Sequence, residues 1–151
     1  MRPSGLINGL LGILMNEMKF LNIIKEEFYT KEFDRQHTFD SDTKNDHPSV
    51  IRIGTKRVGC IALTGYKNPA MPTVQITYFY IYRPNNGSGG IILKRLCKLA
   101  DELGITLELD VIPPKPSRDS ISVSNLTIWY GSHGFKTVFS RFNFMRREPN
   151  A

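Results

Sequence analysis

The stretch Tyr82-Arg83-Pro84-Asn85-Asn86-Gly87-Ser88-Gly89-Gly90 holds the residues whose types and order point most directly to chemistry. Glycines accept positive φ and allow close backbone approach. Where such residues open a helix, successive N–H groups and the positive end of the helix dipole converge on an anion. A pyrophosphate suits that cradle; a plain strand-to-helix turn that binds nothing suits the glycines as well. The spelling speaks against two other phosphate sites. A P-loop needs Lys and then Ser or Thr after its last glycine, but Gly89 is followed by Gly90 and Ile91. A dinucleotide fingerprint needs a third glycine where Ile92 stands.

The other reactive side chains are scattered. His133 lies far from His37 and His47, with no adjoining cysteine or acid pattern, so a surface histidine is expected and no metal site. Cys60 and Cys97 fall on apolar faces as small core residues, without a thiolate-activating neighbour in the sequence. Their spacing suggests neither a zinc site nor a disulfide framework, which fits a reducing cytoplasm.

The elements that must position the turn follow from periodicity. Asn16 to Phe33 places Phe20, Ile23, Ile24, Glu27 and Phe28 at helical spacing, as one or two helices. The polar stretch Asp34 to Ser49 is a loop or a mobile cover. Val50–Ile53, Arg57–Thr64 and Thr73–Arg83 are rich in β-branched and aromatic residues and predict consecutive antiparallel strands. After the glycines the period changes: Ile92, Leu96, Leu99 and Leu103 form one stripe, flanked by Leu93 and Ala100, and Gly104 stops the helix. Ile105–Ile112 alternates Leu107, Leu109 and Val111 with Thr106, Glu108 and Asp110, a strand reached by a helical crossover and therefore parallel to the one before it. Pro113 to Pro116 ends it, a short helix covers Ser124–Ser132, and Lys136–Arg146 supplies a last strand or hairpin.

The 151 residues fit one domain, and 40% hydrophobic content supplies a core. We expect one unit over 1–151: a start at 1–15 that is disordered or non-native, a helical region and loop at 16–49, and the core sheet with its site at 50–148. The apolar run Leu6–Met15 is broken by Asn8, Gly9 and Gly12 and is far below the roughly 20 residues that span a bilayer, which argues against a leader or membrane insertion. A net charge of +6 makes anionic partners plausible without choosing among them.

Taken together, these residues resemble the GNAT N-acetyltransferase family. Its motif Gln/Arg-x-x-Gly-x-Gly/Ala lies between the fourth strand and the next helix, and Gly87-Ser88-Gly89 matches the glycine part. The string GSGGIILKRLCKLADELG looks like the family's cofactor helix without insertion, although Pro84 stands at the first motif position and the arginine is displaced to Arg83. Trp129-Tyr130-Gly131-Ser132-His133-Gly134-Phe135 resembles the closing motif, in which a tyrosine precedes Gly-Phe. The resemblance covers most of the chain after Val50.

It implies an α/β (α+β mixed sheet) fold: a central mixed sheet flanked by helices, with fourth and fifth strands splayed apart. It implies acetyl-CoA as cofactor and a primary amine of a peptide, protein or small molecule as acceptor, joined by direct attack in a ternary complex. Cofactor contacts would come from Tyr80, Ile81, Tyr82, Arg83, Asn86, Gly87, Ser88, Gly89, Gly90, Ile91, Asn125 and Tyr130. Tyr130 would protonate the departing thiolate. Glu108 and Asp110 are candidate bases for the ammonium acceptor, or solvated surface carboxylates. Tyr78, Tyr80 and Tyr82 share one strand face, as a substrate-facing aromatic wall or as packing. The competing reading is a non-catalytic binding protein that contacts nucleic acid or a protein through Lys94, Arg95, Lys98, Arg141, Arg146 and Arg147, with Phe139, Phe142 and Phe144 interleaved. Nucleic acid is less favoured than an ordinary solvated face. No membrane is expected, and the chain would act as a monomer or homodimer.

Overall fold

The computed structural model of the chain describes residues 4–37, 47–66, 71–83, 86–112 and 122–150, with side chains from Asn16 onward. The middle of the polar loop, Pro84-Asn85 and the Pro113–Pro116 run lie outside them.

The first helix, α1 (Ser4–Phe28), buries Phe20, Ile24 and Phe28, spaced four apart on one stripe. The helical expectation for 16–33 fails beyond that point. Tyr29–Phe33 is a strand, β1, antiparallel to β2 (Ser49–Ile53), with Tyr29 opposite Ile51. The aromatic and β-branched side chains of Tyr29, Thr30 and Phe33 suit a strand once a partner edge is present. The sheet therefore begins at Tyr29, well before Val50.

The remaining elements are β3 (Lys56–Tyr66), β4 (Thr73–Ile81), α2 (Ser88–Leu103), β5 (Thr106–Asp110), α3 (Val123–Gly131), β6 (Lys136–Thr137) and β7 (Phe144–Arg147). They build a seven-stranded sheet in the order β1-β2-β3-β4-β5-β7-β6, with β4 and β5 parallel and every other neighbour antiparallel. The expected stripe of α2 is the buried one, and Gly104 closes it in the left-handed conformation with its N–H on the Ala100 carbonyl.

Register sorts the strand residues into two faces, because paired residues project to the same side. Ile61 opposes Phe79, Leu63 opposes Ile76, Val74 opposes Leu107, and Leu109 lies between Ile76 and Met145. This face joins Phe20 and Ile24 of α1, Ile92 and Leu96 of α2, and Leu126 and Tyr130 of α3 in one core. The second face carries Cys60, Tyr78, Tyr80, Gln75, Glu108 and Arg146. Among the described residues no helix covers it.

The centre of the sheet is irregular in a way that matters. Ala62 opposes Tyr78 but Leu63 opposes Ile76, so Thr77 is an extra residue on β4, a β-bulge. The parallel pairing of β4 with β5 runs from Thr73–Thr106 to Ile76–Leu109 and stops one residue before the bulge. Beyond it β4 continues to Ile81 on β3 alone, while β5 stays with β7 and Val111 N–H donates to the Asn143 carbonyl at 2.7 Å. A mixed sheet flanked by helices, with its fourth and fifth strands splayed, is the GNAT-like fold implied by the sequence.

Candidate functional site

The gap beside β4 exposes main-chain groups of known orientation. Tyr82 N–H donates to the Val58 carbonyl at 3.0 Å, so Tyr82 faces β3 through its backbone. Antiparallel pairs alternate between hydrogen-bonded and non-hydrogen-bonded positions, and Tyr80 shares the orientation of Tyr82. Phe79 and Ile81 accordingly turn their N–H and C=O groups the other way, toward the gap left by β5. Of the three strand residues expected at the cofactor, Ile81 presents its backbone there. Tyr80 and Tyr82 do not, and Phe79, which the sequence reading omitted, does. Only the strand register carries that information.

β4 ends at the glycine turn. Gly87 has φ +86°, a left-handed conformation that strains any L side chain, and it caps α2 without a side-chain hydrogen bond of its own. Ile91 N–H donates to the Gly87 carbonyl at 3.1 Å and opens the helical ladder, so the Gly89 and Gly90 amides belong to the first turn before it. Ser88 N–H is taken by Asn86 Oδ1 at 3.1 Å, an internal oxygen acceptor at the mouth of the helix. A Cβ added at Gly87 or Gly90 would meet open space. One at Gly89 would stand 3.4 Å from Ile81 and from the Trp129 ring. Glycine at 89 thus allows α2 to sit against β4 and α3. The turn thus offers free first-turn amides at a helix N-terminus, with open space at the Cβ positions of Gly87 and Gly90. Arg83 joins Lys56, Arg57, Val58, Tyr82 and Asn86 in lining a depression next to the turn, and Arg57 also pairs with Glu32 at 2.5 Å.

Helix α3 closes the same side. Its N-cap Ser122 accepts from Asn125 N–H at 3.1 Å, which leaves the Asn125 side chain exposed in the first turn. Trp129 is half-buried and stacks on Phe79 at a ring separation of 6.4 Å. Tyr130 is buried between Trp129 at 5.0 Å and Phe135 at 5.6 Å. Burial pushes its phenol well above the ordinary tyrosine value, which keeps it protonated. His133 is half-buried beside α2 and has its pKa lowered by burial and then by Lys94 and Arg147.

The two carboxylates lie on the other face. Glu108 is bound by Arg146 Nε at 3.0 Å and Asp110 by Arg141 at 2.9 Å, both across the β5–β7 side of the sheet. Each is an ion-paired acid rather than a lone carboxylate aimed at the gap. These pairs also disperse the supposed basic face. Arg95 forks onto Glu27 at 2.8 and 2.6 Å, and Arg147 is buried against Asp101 at 2.8 and 3.0 Å. Phe139 and Phe142 are exposed, whereas Phe144 is buried under Arg141 at 4.7 Å. The six cations and three rings do not form one interleaved stripe.

The second face holds a cluster that the sequence reading passed over. Tyr82 OH donates to Asp34 Oδ2 at 2.5 Å, and His37 lies against the Tyr80 and Tyr78 rings at 4.7 and 5.7 Å. Tyr78, Tyr80 and Tyr82 therefore form a wall against the loop that leaves β1. Burial pushes Asp34 upward, but the hydrogen bonds from Tyr82 OH and the Gln36 amide, with the His37 ring close by, outweigh it and hold the carboxyl below its ordinary value. Cys60, in the middle of β3, joins this group. Asp34 and His37 sit in an undistinguished polar stretch, and only the pairing of β1, β2 and β3 brings them onto Cys60.

No protein-family model and no curated protein sequence matches the chain. Among solved structures, the crystal structure of anti-CRISPR protein AcrVA5 is similar, with a TM-score of 0.47 and 23% identity over 59% of this chain and 88% of that one. Nothing about activity passes from that protein to this one.

Proposed function

We propose that the chain is an acetyl-CoA-dependent N-acetyltransferase that moves an acetyl group to a primary amine. The observation that carries the reading is the edge of β4 after Ile76, which β5 no longer pairs and which has no strand partner among the described residues, followed by the glycine N-terminus of α2. In this reading the amides of Gly89 and Gly90 hold the diphosphate, with Asn86 yielding the Ser88 amide to it and Arg83 beside it. The edge groups of Phe79 and Ile81 pair with the amide-bearing arm and orient it across the sheet. Acetyl-CoA supplies a thioester whose carbonyl carbon is open to attack by a neutral amine.

Donors fixed before reaction are worth roughly 3 kcal/mol where charge develops on an oxygen. An alkylammonium with a pKa of about 10.4 must first lose a proton. Glu108 is the nearer candidate to take it, through solvent, since it opposes Gln75 beside the gap, though its pairing with Arg146 weakens it as a base. Tyr130, protonated and on the helix side of the sheet, is placed in this reading to return a proton to the leaving sulfur. The dispersed cations give the nucleic-acid reading less support.

Labelled acetyl-CoA incubated with a panel of peptides, polyamines and amino sugars tests the proposal. Transfer to at least one primary amine, slowed in Tyr130→Phe with binding retained, is expected. Failure of the chain to bind acetyl-CoA would overturn it.

A further inference from the structure

We infer that Asp34, His37 and Cys60 form a binding site for one divalent transition-metal ion of the Zn2+ type, which clips the loop after β1 to the middle of β3. This site is independent of the acetyl-CoA reading and lies on the opposite face of the sheet from α2.

One ligating atom from each residue, an oxygen, a nitrogen and a sulfur, lies within 4.8 Å of the others. That donor set suits Zn2+, which takes Cys, His and Asp together and needs only three protein ligands when a fourth position is left to water. The site is largely sheltered. Cys60 is 0% exposed, and the side chains of Asp34 and His37 are 9% and 24% exposed.

His37 supplies the second observation. Its Nδ1 is 3.0 Å from Asp34 Oδ1 but off the line that a hydrogen bond requires, and it is a buried nitrogen without a hydrogen-bond partner among the described residues. A shared cation satisfies both atoms at that separation. The ring is already aimed by its packing on Tyr80 and Tyr78. Asp34 is likewise held from behind, by Tyr82 OH on Oδ2 and by Gln36 N–H on Oδ1 at 3.0 Å, the outer contacts that orient metal ligands.

The charge balance agrees. Without a metal the sulfur keeps its proton. On binding, the S–H bond breaks, the proton leaves to solvent, and sulfur forms a bond to the cation, so that two anionic ligands meet a 2+ charge. The loop is prepared for such a clip. Asp34 N–H donates to the Pro48 carbonyl at 2.8 Å, and the His47 ring Nδ1 donates to the His37 carbonyl at 2.8 Å. The ion would fasten Asp34 and His37 to β3 beside the tyrosine wall.

Titrating the full chain with Co2+ reads the site through the thiolate-to-cobalt absorption in the near ultraviolet, and Zn2+ calorimetry gives stoichiometry. One ion per chain and a strong band are expected, with Cys97→Ala retaining the band. Cys60→Ser should lose it. His37→Ala, a change on a half-exposed loop that leaves the core intact, should weaken Zn2+ binding at least about tenfold. Sub-stoichiometric uptake by the wild type, a band that survives in Cys60→Ser, or unchanged affinity in His37→Ala would overturn the site. Acetyl-CoA binding is measured on the same samples: its absence alongside one bound ion would defeat the acetyltransferase reading and leave this one standing.

Discussion

Ile76 faces Leu109 across the last parallel pair of β4 and β5, and the next residue of β4, Thr77, is left out of register with β3. The bulge and the parting of the strands fall at one point in the chain. An extra residue sharpens local twist and bends the bulged strand, and here the bent part of β4 is the part that β5 no longer follows. What results is an edge in the interior of a sheet. Interior edges are costly because their amides and carbonyls lack partners, so a ligand that supplies them is favoured.

The same edge depends on a close approach on its other side. A Cβ at Gly59 would stand 2.1 Å from the Tyr80 carbonyl oxygen, which is backbone and has no rotamer to yield. Gly59→Ala must therefore push β3 and β4 apart. We expect a loss of about 3 kcal/mol in chemical denaturation, the upper range for overpacking, together with weaker acetyl-CoA binding. Unchanged stability would contradict the strand geometry described above.

The three glycines of the turn should differ in their tolerance. Gly90→Ala places its Cβ in open space and should fold and bind nearly as the parent does. Gly87→Ala forces an L residue to φ +86° and should cost about 1 kcal/mol. Gly89→Glu adds a side chain beyond a Cβ already 3.4 Å from Ile81 and Trp129, and brings a negative charge to the proposed phosphate amides. Acetyl-CoA calorimetry should rank them Gly90, Gly87, Gly89 in order of increasing loss, with no heat detected for Gly89→Glu.

Arg147 ties β7 to α2, with its guanidinium on both oxygens of Asp101 and on the His133 carbonyl at 2.8 Å. The hydrogen bonds from Arg147 hold the Asp101 carboxyl below its ordinary value of 3.8 despite burial. A depressed carboxylate contributes stability that is present above the unfolded pKa and lost as pH falls through the folded one. The pair should thus add acid sensitivity below about pH 4. Arg147→Met should lower stability by about 3 kcal/mol at pH 7 and flatten that acid limb. Parallel acid limbs in the two proteins would show that the pair carries no linkage.

What the sequence disclosed depended on how local each signal is. The α2 stripe at Ile92, Leu96 and Leu99, its Gly104 stop and the alternation of Leu107 and Leu109 are local patterns, and each appears where the periodicity places it. Tyr29–Phe33 follows directly on the helical spacing that ends at Phe28 and carries strand formers at Tyr29, Thr30 and Phe33, and its fate is set by β2, distant in sequence. The bulge at Thr77 leaves no local mark, because register belongs to two strands at once. The Asp34–His37–Cys60 group is hidden for the same reason. At Glu108 and Asp110, alternation gave the correct face but not the arginines of the neighbouring β7 and the turn before it.

The most direct test of the account is an acetyl-CoA titration followed by backbone amide NMR of the uniformly 15N-labelled chain. The amides of Gly89, Gly90, Phe79 and Ile81 should shift first and saturably, as those of a phosphate cradle and an open strand edge, while the Tyr80 and Tyr82 amides, engaged with β3, move less. A titration that leaves the turn and the β4 edge unperturbed at millimolar acetyl-CoA would contradict it.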